Sequence, residues 1–182
     1  QEGKRAFGAI LLDMYSDRPV QETHCPPGSA FEEVCPFFDR QFYHTSYDNS
    51  GPFENQTCYF GGVRQRIFGE AGEYILSKVP LIKYDRESIL AGGQHWSNVP
   101  LDQTATESGC LLHFKYFSSF GDYVSQVAGR TQGSHWIMQH QEYRRGLDRE
   151  RGLTFYDSAQ SVRLENSDQL VRLGVMKRGG GL

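Results

Sequence analysis

From Phe7 to Tyr15 the chain reads Phe-Gly-Ala-Ile-Leu-Leu-Asp-Met-Tyr, apolar almost throughout. Such a run predicts a buried strand, and this one carries a single carboxylate, Asp13, near its end. A second run, Cys110-Leu-Leu-His-Phe-Lys-Tyr-Phe117, follows a glycine and predicts a central strand over 109–117. Ser77–Tyr84 and Ser88–Trp96 read as two further strands. After Ser118-Ser119 the period changes. Phe120, Tyr123, Val124 and Val127 recur at spacings of three and four, the mark of an amphipathic helix. A second helix is expected to start near Ser134 and to carry Trp136, Ile137, Gln141 and Tyr143. The tail adds a short strand at Ser161–Leu164 and a capped short helix at Ser167–Leu173. Gly179–Leu182 reads as a flexible end, and no internal repeat is visible.

This pattern predicts an α/β fold: a mixed central sheet with flanking helices and one long irregular loop. The loop is 16–57, rich in Pro, Gly, Asn, Asp and Ser. It also carries Phe31, Phe37, Phe38, Phe42, Tyr43 and Tyr47, which favours a packed lobe over a disordered linker. One domain over 1–176 with a tail at 177–182 is expected. Gln1–Arg5 resembles the end of a helix with Gly3 as its cap. A strand so soon afterwards leads to the expectation that an upstream part of the domain is absent. Apolar surface around Phe7–Tyr15 would then drive self-association.

Composition narrows the function classes. The net charge is −3 and the basic residues are scattered, so no field for nucleic acid or anionic membrane is expected. No apolar run approaches the roughly 18 residues that span a bilayer. The four cysteines, Cys25, Cys35, Cys58 and Cys110, form no Cys-x-x-Cys pair, which argues against structural zinc. Cys25 and Cys35 flank a Pro-Pro-Gly turn and would bridge in an oxidising compartment. The expectation is free thiols and a cytoplasmic setting. Asn55-Gln56-Thr57 fits a glycosylation sequon, a pattern common by chance.

The candidate chemistry is sparse and specific. His113 and Lys115 are two apart on one strand and so share a face, pairing a metal ligand or proton carrier with a cation. His95 lies on the preceding predicted strand. Were the two strands antiparallel neighbours, both histidines would approach one metal; separate, hydrogen-bonded histidines are the ordinary alternative. Arg64 and Arg66 follow Gly61-Gly62, where a flexible backbone admits an anion and arginine grips it; surface arginines on a helix start would read the same way. Lys78 is a further phosphate contact or a plain surface charge. Asp13 and Asp39 are candidate general bases, or carboxylates that cap turns. No Walker loop, dinucleotide fingerprint or Gly-x-Ser-x-Gly elbow occurs.

In order along the chain, Phe7–Tyr15, Phe38-Asp39 with Tyr43, Gly61-Gly-Val-Arg-Gln-Arg-Ile-Phe68, Lys78-Val-Pro-Leu81, His95, Leu111-Leu-His-Phe-Lys-Tyr-Phe117 and the 161–176 segment resemble bacterial family 2-type glycosyltransferases. The resemblance covers residues 3 to about 176. It implies the C-terminal, acceptor-side portion of a GT-A-like fold. The activity implied is transfer of a sugar from a nucleotide donor to a glycan or other hydroxyl acceptor, with a divalent metal, Mn or Mg. By the same resemblance, His113 looks like a late metal-binding histidine and Lys115 would face the diphosphate. The family's Asp-x-Asp motif is missing, and with it the nucleotide-binding half that the resemblance implies, so the chain alone is expected to be inactive. A non-catalytic binding module of the same fold, or a metal-dependent hydrolase using His95, His113 and Asp13, are the competing expectations.

Overall fold

β1 (Ala6–Met14) runs through the middle of the molecule, and its apolar sequence is explained by burial on both faces. In this computed structural model the described residues are 3–41, 43–48, 53, 56–69, 74–130, 135–150 and 152–179. After β1 come α1 (Phe31–Val34), β2 (Phe37–Asp39), β3 (Tyr43–Asp48), β4 (Gln56–Gly61) and α2 (Gly62–Phe68). Then follow β5 (Ser77–Ile82), β6 (Leu90–Ala91), β7 (Trp96–Ser97), β8 (Thr104–Phe114), α3 (Phe120–Ala128), α4 (His135–Arg149), β9 (Ser161–Arg163) and α5 (Ser167–Arg172).

The principal sheet has the order β5-β1-β8, with β5 antiparallel and β8 parallel to β1. The mixed sheet was legible in the sequence, but not its centre. β1 is the central strand, and the 109–117 run is the end of an edge strand. Phe7–Tyr15 therefore presents no free sheet edge for self-association; β5 and β8 cover both sides of it. β8 is an edge strand of this sheet; Lys177 bridges it at Ser108, and towards its end Leu111 and Leu112 are each 37% exposed. Three two-stranded pairs complete the β structure: β2-β9, β3-β4 and β6-β7.

The alternation of side chains along β1 divides the core in two. Ile10, Leu12 and Met14 pack with Phe38, Leu76, Leu170 and Val175. Tyr15 joins the other cluster, with Val63 and Phe68 of α2, Phe120 and Val124 of α3, and Tyr143 of α4. Three of the four expected α3 positions, Phe120, Val124 and Val127, are buried, whereas Tyr123 points outward and is exposed. α5 is capped by Asn166, whose Oδ1 accepts from the Gln169 N–H at 3.0 Å.

The irregular 16–57 segment carries more order than its composition suggests. Phe31 lies 5.6 Å from the rings of both Phe114 and Phe117, tying α1 to the end of β8. β2 pairs with β9, and β3 with β4, pairings with no clear period-2 signal in the sequence. Phe42, the side chains of Tyr43 and Tyr47, Asn55 with the side chains of Gln56 and Thr57, Ser134 and the Trp136 side chain lie outside the described residues. The four cysteines form no disulfide with one another, Cys25 and Cys35 included. Burial pushes the Cys35 thiol up to about 12, with a smaller push from Cys25.

Candidate functional site

Parallel pairing of β1 with β8 sets Asp13 directly beside His113. His113 Nδ1 lies 2.7 Å from Asp13 Oδ1. Asp13 Oδ2 accepts from Arg64 Nε at 2.6 Å. Arg64 is delivered by the first turn of α2, which begins at the left-handed Gly61-Gly62 pair. The Asp13 and Arg64 side chains are 2% and 7% exposed, while that of His113 is 32% exposed. Burial alone would raise the Asp13 pKa. The Arg64 charge, the His113 hydrogen bond and the Lys115 charge outweigh it and hold the carboxyl well below the usual carboxylate range. A permanent carboxylate can only accept, so Nδ1 of His113 carries the proton and Nε2 keeps its lone pair when the ring is neutral.

Lys115 follows on the same strand face. Its Nζ lies 3.2 Å from the Tyr143 hydroxyl and faces three rings, those of Tyr143, Tyr116 and Phe120, at 4.5, 5.0 and 5.7 Å. Burial, reinforced by the Arg64 charge and opposed by Asp13, pulls its ammonium down to about 7. Arg64 also sits 5.8 Å over the Tyr74 ring. Among the described residues two buried donors here, Arg64 Nη2 and the Tyr116 hydroxyl, have no hydrogen-bond partner.

Asp39 and Arg66 form a separate unit. Arg66 grips the Asp39 carboxylate with two bonds, Nε to Oδ2 at 2.9 Å and Nη2 to Oδ1 at 2.8 Å, and also donates to the Phe155 carbonyl at 2.6 Å. The Tyr15 hydroxyl donates to the same carboxylate and lies 2.9 Å from Ser161 Oγ. Asp39 thus ties β1, β2, α2 and β9 together. Both of its oxygens are occupied, which suits a brace better than a general base. Arg66 is spent in the same brace.

Lys78 and His95 gather at a third place, towards the amino end of β1. The predicted strand over 88–96 is instead a tight hairpin, β6-β7, folded against the outer edge of β5. His95 Nδ1 lies 2.7 Å from the Ser77 carbonyl, and Lys78 Nζ donates to the Gly93 carbonyl at 2.5 Å. β5 and β8 flank β1 on opposite sides, so His95 and His113 are at least two strand spacings apart, roughly 10 Å. The antiparallel approach of the two histidines is therefore not realised. Among the described residues no three His, Cys, Asp or Glu side chains come together as a metal-binding set. The grouping of His95, His113 and Asp13 that a metal-dependent hydrolase requires is not formed. The Arg64 charge nevertheless bears on both Lys78 and His95.

The sequence singled out Asp13, Arg64, His113 and Lys115 without showing that they meet. It missed the aromatic wall of Tyr74, Tyr116 and Tyr143. Tyr143 carried a helical-period signal, which marks a core residue and not a hydrogen-bond partner for a lysine. No protein-family model, curated protein or solved structure matches the chain.

Proposed function

We propose that this chain is part of a nucleotide-sugar-dependent glycosyltransferase, and that Asp13, His113, Lys115 and Arg64 form its reacting corner. One observation carries the reading: three basic side chains surround one permanent carboxylate at the carboxyl ends of a parallel strand pair, in a chain of net charge −3. In α/β sheets the carboxyl ends of strands border the ligand crevice. A local excess of positive charge suits a diphosphate, and the two partnerless donors are of the kind a phosphate oxygen satisfies.

His113 Nε2 takes the proton from the acceptor hydroxyl while Asp13 stabilises the imidazolium through Nδ1–H. The acceptor oxygen forms its bond to the anomeric carbon. The bond from that carbon to the diphosphate oxygen breaks, and its electron pair leaves with the diphosphate. Lys115, and Arg64 through its field, stabilise that leaving charge. Among the described residues no three His, Cys, Asp or Glu side chains gather around His113 Nε2, and Lys115 and Arg64 are the cations this corner supplies.

The test is release of nucleoside diphosphate from nucleotide sugars by the product of the complete reading frame. Turnover that falls about a hundredfold or more in His113→Ala is expected, the scale of a lost general base. No turnover with any common nucleotide sugar, or turnover unaffected by His113→Ala, would overturn the reading.

A further inference from the structure

A cleft of about 500 Å³ opens on the amino-terminal half of the sheet, away from Asp13 and His113. Its volume falls in the range of small-molecule sites. Its floor is apolar, with Ala6, Gly8, Ile10 and Val79, and Leu101 stands at its side. Gly8 keeps the floor open: a Cβ built there would meet no atom within 4 Å. The lining carries two ammonium groups, Lys78 and Lys177, and one carboxylate, Glu107. Among the described residues neither lysine has an ion-pair partner. Lys78 is half-buried, and among the described residues its ammonium is held by the Gly93 carbonyl alone.

The wall that carries His95 is a tight left-handed turn. Gly92, Gly93 and Gln94 are consecutive left-handed residues, with φ of 58°, 67° and 69°. Such a conformation costs energy at Gln94, and strain of this kind concentrates at functional sites. The turn is fixed by Val79 N–H to the Gln94 carbonyl at 2.9 Å and by the Lys78 contact. It holds His95 so that Nδ1–H donates to the Ser77 carbonyl, which leaves Nε2 as an acceptor. Burial, together with the charges of Lys78 and Arg64, drives that ring down to about 4, against the Ser77 bond, so it is neutral at ordinary pH.

We infer that this cleft binds an amphipathic anion, a carboxylate or phosphate on an apolar body, with Lys78 holding the head group and the Gly8–Ile10 floor receiving the apolar part. The head group lies at the Lys78 end, towards the field of Arg64. The inference does not depend on the transferase reading, because none of its contacts uses Asp13, His113 or Lys115.

Binding of decanoate, decyl phosphate, decanol and inorganic phosphate to the chain, each below its aggregation concentration, tests it. Isothermal calorimetry gives affinity, and the fluorescence of Trp96, whose ring lies 5.9 Å from that of His95, reports the site. At least one of the two amphipathic anions is expected to bind about tenfold or more tightly than decanol, the scale of one charge-assisted contact. Inorganic phosphate should be weaker still. The ratio of decanoate to decyl phosphate tells which head group the site takes. Gly8→Leu fills the floor and should abolish binding with the melting temperature unchanged. Lys78→Met should reduce the anion's affinity to that of decanol. Absence of binding by both anions, equal affinity for decanol, or undiminished binding in Gly8→Leu would each overturn the inference.

Discussion

The Asp13–Arg64 pair and His113 differ in burial, and that difference separates their roles in stability and chemistry. Asp13 and Arg64 are both nearly inaccessible, so removing either leaves the other's buried charge without its ion-pair partner. Asp13→Leu or Arg64→Met should cost about 3–5 kcal/mol in chemical denaturation. His113 is about one-third exposed, and His113→Ala should cost less than about 1 kcal/mol. A His113 loss as large as that of Asp13 would mark it as a structural residue. Lys115 gives the pH dependence. Its folded pKa of about 7 lies below the ordinary 10.5, so between these values the unfolded chain binds the extra proton. Stability should therefore rise as pH rises from about 7 to 10.5, and Lys115→Met should flatten that slope. The ammonium is the form that attracts a diphosphate, so anion affinity should fall over the same rise through 7.

At the level of elements, the hairpin turn and the sheet order show where sequence reasoning stopped. The 88–96 stretch opens on the apolar run Ile89-Leu90-Ala91 and ends on Trp96, and it reads as one strand. Its Gly92-Gly93 pair, a recognised turn signal, decided the outcome because left-handed backbone is cheap only there. Gly92→Ala should destabilise more than Gly93→Ala. A Cβ at 92 would lie 2.2 Å from the Trp96 ring, whereas at 93 its nearest neighbour is Lys78 Nζ at 3.9 Å. Equal thermal shifts for the two variants would contradict the packing described for this turn. β8 was misplaced for a different reason. An apolar run such as Cys110–Phe114 is the signature of a central strand, but strand order depends on which strands pair over long separations, and composition does not encode that. Asp13 meeting His113 is the same kind of fact: each was recognisable alone, and only parallel pairing across a separation of 100 residues joined them.

Over the whole molecule, the net charge of −3 opposes anions while one corner of the sheet attracts them. Diphosphate binding should therefore be local and sensitive to salt, weakening as ionic strength rises from 0.01 to 0.15 M and the Debye length contracts from about 30 to 8 Å. The helices α2, α3 and α4 make this corner by packing their aromatic residues against one face of the sheet, which desolvates Lys115 and Arg64 together. The most direct test of that arrangement is calorimetric titration of the chain with UDP and GDP at pH 6 and pH 8. The structure described here predicts binding of at least one of them at a single site, tighter at pH 6, with the pH difference lost in Lys115→Met and affinity reduced about tenfold or more in the same variant. Failure of both nucleotides to bind at millimolar concentration, or binding that Lys115→Met leaves unchanged at both pH values, would contradict it.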